Sequence, residues 1–120
     1  MMAAMALQAA SAGSDFPAGI HIRHVGGHTP GMQIVRVMTR RGWVVLASDT
    51  LHYYALKEAG VPFAILVDIP KYLAAWTVLD SLAETPGHII PGHDPLVLTQ
   101  YPVAKPGLEG IAVKLDVTPK

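Results

Sequence analysis

The run "WVVLAS" at residues 43 to 48 constrains this chain more than any other stretch. It is apolar without alternation, and a strand made from it has both faces buried. A fold that holds such a strand must find cover on two sides, which favours a layered sandwich over a bundle or a β-barrel. The preceding "QIVRVMT", residues 33 to 39, alternates as a strand does, and "RRG" joins the two runs as a hairpin ending in glycine. Upstream, Ile20, Ile22 and Val25 suggest a short strand with His21 and Arg23 on its other face.

Helical signals follow the hairpin. "YYALKEAG" reads as a short helix closed by Gly60. Residues 63 to 67 are an apolar strand or extended segment. Asp68 is then a natural N-cap with Pro70 in the first turn, and the helix runs over residues 71 to 84. Its apolar side is Tyr72, Trp76, Leu79 and Leu82 or Ala83, spaced as one helical face. Thr85-Pro86-Gly87 stops it. "HIIP" is a short strand, "DPLVLTQY" a helical turn or two starting at Asp94, residues 102 to 107 a loop, and "GIAVKLDV" a terminal strand. The order of strands, helix, strand, helix, strand predicts an α/β or α+β layer.

Composition narrows the functional classes. Half of the 120 residues are hydrophobic (51%) and 15% are charged, enough to fill a core. Lys plus Arg equals Asp plus Glu at nine each, so no basic surface is on offer to nucleic acid. With no cysteine there is no disulfide framework and no thiolate site, so any metal must be held by His and carboxylate. That suits a reducing compartment. No apolar run is long enough to span a membrane. The opening "MMAAMALQAASAG" lacks the positive start of a signal peptide and is rich in helix formers. A cytoplasmic location is expected. Residues 1 to 18 are then an Ala-rich segment and linker, and residues 19 to 120 the domain.

Three polar residues each follow an apolar run and sit among turn residues: His28 in "VGGHTPGM", Asp49 in "LASDT", His93 in "IIPGHDP". Loop ends at one edge of a sheet are where functional groups converge, because the scaffold beneath fixes them. Imidazole and carboxylate suit zinc. Pro30-Gly31 and Pro91-Gly92 remove backbone freedom beside the two imidazoles, which lowers the entropy they lose on binding. Each residue also has a plain reading. A histidine beside Gly and Pro is ordinarily a polar turn residue, and Asp49 alone would be an N-cap for the segment that begins at Thr50.

Taken together, "HTPG", "LASDT" and "PGHD" resemble the C-terminal half of a metallo-β-lactamase-fold hydrolase. The likeness spans residues 18 to 116 and is nearer to the N-acyl homoserine lactonase branch. It implies half of an αββα sandwich and a pair of zinc ions, with His28 on one, His93 on the other and Asp49 bridging both. It implies hydrolysis of a small lactone or ester, with Asp49 handling the proton. A lactonase of this kind has a tyrosine three residues after the bridging aspartate. Here that position is His52, followed by Tyr53 and Tyr54. His52 or Tyr53 would donate a hydrogen bond to the carbonyl or developing oxyanion, while His52 also reads as a surface loop residue.

The family's H-x-H-x-D-H segment is not in this sequence. "HIRH" has the wrong spacing, and on a strand His21 and His24 point to opposite faces. Both read as sheet-surface or packing residues, as does His88. Splitting the implied ligands leaves two per ion, where catalytic zinc usually keeps three plus a water. Such a chain would hold zinc weakly and be inactive by itself. Its missing donors would come from a second chain, a homo-oligomer or a longer parent. The alternatives are a truncated, inactive fragment that partners an intact homologue, and a plain domain whose polar loop ends do no chemistry.

Overall fold

The computed structural model describes residues 18–120, and the Ala-rich opening with its expected helix and lack of a leader lies outside them. β1 (Ile20–His24), β2 (Gln33–Thr39), β3 (Gly42–Ser48) and β4 (Ile89–Pro91) form one sheet in the order β1-β2-β3-β4. The first three strands run antiparallel, and β4 joins β3 in parallel. Thr39 pairs with Gly42, so the hairpin turn is two residues, Arg40 and Arg41. The Thr39 hydroxyl donates to the Gly42 carbonyl at 2.8 Å and accepts from the Arg41 amide at 3.2 Å, closing the turn.

β3 is buried on both faces, as its unbroken apolar run requires. Val45 and Ala47 face α2 (Ile69–Leu82) in a cluster with Ile34, Tyr72, Trp76, Leu79 and Ile89. Val44 faces the other way, with Ile90 and Tyr101, under cover from Val97, Val113 and Leu115. Burying each large side chain of this kind stabilises the fold by about 1.5–3 kcal/mol before chain entropy is counted. The result is a mixed α+β fold.

α2 is capped as its sequence predicts: Asp68 Oδ1 accepts from the Lys71 amide at 2.9 Å. The helix starts at Ile69, earlier than the periodicity indicates, because Pro70 fits a first turn where its missing N–H is not needed. It stops at Leu82, short of the expected end, and Leu82 and Ala83 pack against the core beside it. α1 (Tyr54–Ala59) closes on Gly60 in a left-handed conformation, and α3 (Leu96–Gln100) follows an Asp94 side chain that accepts from the Leu96 amide at 3.0 Å.

The expected terminal strand is absent, and the run read as a strand or extended segment pairs with no sheet neighbour. Residues 63 to 67 form no strand: the Val67 amide donates to the carbonyls of Gly27 and His28, at 3.2 and 3.3 Å, instead of to a sheet neighbour. The terminal run has only an isolated bridge, Val103 with Val113. Its alternating Val113, Leu115 and Val117 cover the Val44–Ile90 face of the sheet. Alternation there records a half-buried extended segment that packs over a sheet without joining it. No helix among the described residues is long and apolar enough to cross a membrane.

Candidate metal centre

The chain brings His28, Asp49, His52 and His93 to one rim of the sheet. Asp49 is the hub. Its Oδ1 lies 2.6 Å from His93 Nε2, and its Oδ2 lies 3.5 Å from His28 Nε2. One ligand atom each from His28, Asp49 and His52 lie within 4.8 Å of one another, the one such group among the described residues.

Local backbone features place each side chain. Ser48 adopts φ 48°, left-handed for a residue with a Cβ, at about 1–2 kcal/mol. The β3–β4 register shifts at the same place, between Leu46 and Ser48. This bulge turns Asp49 out of the strand and onto the rim. Asp49 caps no helix, since α1 begins only at Tyr54. His28 stands in a turn closed by Val25 and Gly26 amides donating to the Met32 carbonyl, at 2.9 and 3.2 Å. His24 Nε2 donates to the Pro30 carbonyl at 2.6 Å and braces the same turn. Gly27, at φ 94°, lies against the start of α2: a Cβ there would stand 2.6 Å from Tyr72 Cα. His93 is held by two backbone bonds, Gly92 N–H to the Leu51 carbonyl at 2.8 Å and His93 N–H to the His52 carbonyl at 3.1 Å. A Cβ on Gly92 would stand 2.6 Å from the Ser48 carbonyl oxygen, so only glycine lets these two loops touch.

His52 is 4% exposed, which overturns its reading as a surface loop residue. It stacks on Phe63 with ring centroids 3.6 Å apart and on His93 at 5.1 Å. The Tyr72 hydroxyl lies 3.3 Å from its Nδ1. Burial pushes its pKa down and outweighs the raising effect of Asp49, while His28 and His93 push it down further. Its imidazole is therefore neutral near pH 7, the form that binds a cation. His28 Nδ1 is also buried and has no hydrogen-bond partner. With Nε2 of the same ring facing the Asp49 carboxylate and a second buried imidazole alongside, this donor set fits a divalent cation. Tyr53 is 38% exposed at the same rim, with its ring 6.3 Å from both His52 and Phe63.

The other histidines lie elsewhere. His21 Nδ1 accepts from Arg36 Nε at 3.2 Å, beside Trp43, on the sheet surface. His88 Nε2 donates to the Arg41 carbonyl at 2.8 Å and its Nδ1 meets the Thr85 hydroxyl at 2.7 Å. A shallow groove of about 170 Å³, lined by Leu51, Tyr54, Lys57, Glu58, Pro86 and Ile89, contains none of the cluster residues. Sequence reasoning missed the supports of the cluster: Phe63, the Tyr72 hydroxyl, and Asp94. Asp94 Oδ2 accepts from the Tyr54 amide at 2.9 Å, so the loop carrying His93 caps α1. No local signal marks a partner so distant in sequence.

A sheet with α2 on one face and a His-Asp-His convergence at its rim is a partial metallo-β-lactamase fold, and solved structures agree. The chain matches AiiA from B. thuringiensis, solved with N-decanoyl-L-homoserine at its active site, with TM-score 0.60 and 25% identity over 75% of this chain and 36% of that one. An N-acyl homoserine lactone hydrolase with N-hexanoyl-L-homoserine at its catalytic metal centre matches to the same degree. A quorum-quenching N-acyl homoserine lactone hydrolase matches with TM-score 0.52 and 27% identity over 66% of this chain and 34% of that one. The chain is thus similar to metal-centre lactonases and spans about a third of their length. No family model and no curated protein sequence matches it.

Proposed function

We propose that this chain carries part of the metal centre of a zinc-dependent hydrolase that opens N-acyl homoserine lactones or similar esters. The observation that carries the reading is the Asp49 carboxylate, with imidazoles of His28 and His93 on its two oxygens. His28 and Asp49 would hold one zinc ion, and Asp49 and His93 a second. Bound zinc supplies Lewis acidity toward the carbonyl and lowers the pKa of water. Asp49 moves the proton toward the leaving oxygen. The half-exposed Tyr53 hydroxyl donates a hydrogen bond to the carbonyl oxygen. Phe63 packs against His52 at this rim, and Ile65 and Val67, 72% and 67% exposed, follow it along the chain, an apolar surface suited to a partly apolar substrate.

The resemblance puts further donors on an H-x-H-x-D-H segment that this sequence does not contain. We assign them to a second polypeptide or to a longer parent sequence that completes the site. The test is hydrolysis of an N-acyl homoserine lactone, followed by proton release, with zinc-loaded full chain alone and after mixing with a chain carrying that segment. Turnover that appears on mixing and disappears with Asp49→Ala supports the reading. Absence of turnover in every pairing, with zinc bound, rejects it.

A further inference from the structure

We propose that His52 is a protein ligand, so that this chain by itself completes a three-donor site for one zinc ion on His28, Asp49 and His52, with His93 outside it. The inference rests on the metal-centre reading above and changes its stoichiometry and its ligand set.

Distances separate the two roles. Ligand atoms that share one tetrahedral zinc ion, bound at about 2.0–2.1 Å, stand about 3.3 Å apart. His28 Nε2 and Asp49 Oδ2, at 3.5 Å, already have that spacing. One ligand atom of His52 lies within 4.8 Å of one from each of His28 and Asp49, within reach of a small rotation of the rings. His93 Nε2 and Asp49 Oδ1, at 2.6 Å, are too close to be two ligands of one ion and have the length of a charge-assisted hydrogen bond. Toward this ion His93 is therefore a positioning residue: it donates to the far carboxylate oxygen and turns the near one toward His28.

The surroundings of His52 are those of a built ligand. A ligating imidazole usually gives its second nitrogen to a hydrogen-bond partner, which fixes tautomer and ring plane. The hydroxyl of Tyr72, a fully buried residue near the start of α2, stands at His52 Nδ1. Phe63 lies nearly parallel to the ring, at an interplanar angle of 11°, and fixes it from one side. A residue that only donated to a substrate would need solvent access. His52 is 4% exposed, whereas Tyr53 next to it is 38% exposed and remains available for that task. Three donors plus a water is also the usual complement of a catalytic zinc site, which removes the two-per-ion shortfall for the first ion. A second ion beside His93 would depend on donors from elsewhere.

The test is zinc binding by the metal-stripped full chain, measured by competition with a chromophoric chelator and by calorimetry. The expected result is one tight zinc per chain. His28→Ala and His52→Ala should each weaken it by more than about 100-fold, and His93→Ala by about 10-fold, as for an outer partner. His52→Gln, closer in size, should lose affinity as His52→Ala does while keeping the wild-type circular dichroism, which separates ligation from folding. In the wild type, the ¹⁵N resonances of His28 and His52 should shift on adding Zn²⁺. Zinc affinity unchanged in both His52 variants, or lost more in His93→Ala than in His52→Ala, overturns the proposal. No zinc binding at all overturns it together with the metal reading. Tight zinc binding dependent on His52, without lactone turnover in any pairing, keeps this inference and rejects only the proposed reaction.

Discussion

Asp49 Oδ1 and His93 Nε2 stand 2.6 Å apart although 44 residues separate them along the chain. Nothing local to either residue produces that contact. The bulge at Ser48 delivers one partner and the bonds from Gly92 and His93 to the Leu51–His52 backbone deliver the other. Both ends of the pair are thus set by backbone, before any cation is considered.

Asp49→Asn tests the carboxylate as a charge and not as a shape. The pair is partly exposed, with 35% of the Asp49 and 54% of the His93 side chain open, so its loss should change metal-free stability by no more than about 1 kcal/mol. Zinc affinity should instead fall by more than about 100-fold, because a neutral amide is a poor zinc ligand. Thermal unfolding without metal and chelator competition with it should separate the two effects.

Gly27→Ala should destabilise the domain by about 2–4 kcal/mol, combining left-handed strain with overpacking against Tyr72. The added Cβ meets backbone at 2.6 Å, which no rotamer change relieves. Urea unfolding should show the loss. A change below about 0.5 kcal/mol would mean that the turn and α2 do not meet as described.

Leu79→Ala, at a fully buried position between α2 and the sheet, should cost about 2–5 kcal/mol. Ile111→Ala, at a residue 72% exposed, should stay within about 0.5 kcal/mol. The contrast between the two midpoints checks the placement of the core.

Asp94→Ala removes the acceptor for both the Tyr54 and Leu96 amides, bonds of 2.9 and 3.0 Å. Losing a cap costs about 1 kcal/mol. Amide exchange should quicken at Tyr54 and Leu96 and remain slow in β2 and β3. Asp94→Asn, which keeps an acceptor oxygen, should recover most of the protection.

The Arg40 guanidinium, 2.7 Å from Asp116 Oδ2, donates to its carboxylate and holds its pKa below the ordinary 3.8. A carboxyl with a depressed folded pKa adds stability above its unfolded pKa, and that part is lost as pH falls through the folded value. The Asp116 carboxyl should therefore titrate late in an acid NMR titration, and Arg40→Ala should return it to the ordinary range. The pair is solvent-exposed, so added salt should shrink the effect.

How much was legible in the sequence depends on how far each signal reaches. The hairpin, the Asp68 cap and the Tyr72–Trp76–Leu79 face are written in neighbouring residues, and the structure has them. The three loop ends at 28, 49 and 93 were visible as a recurring pattern of apolar run followed by framed polar residue. The run at 110 to 117 forms no strand because alternation reports half-burial and not sheet pairing.

The sequence by itself determined the β2–β3 hairpin, the capped face of α2, the double burial of β3 and the residue types at the rim, since propensity and periodicity act over a few residues. Only the tertiary structure decided that His52 is buried beside Asp49, that Phe63 and Tyr72 fix its ring, and that Asp94 caps a helix from another loop. Those contacts join segments far apart in the chain. Their geometry is set by how α2 and the β3 and β4 ends pack against one another, a condition that no local window contains.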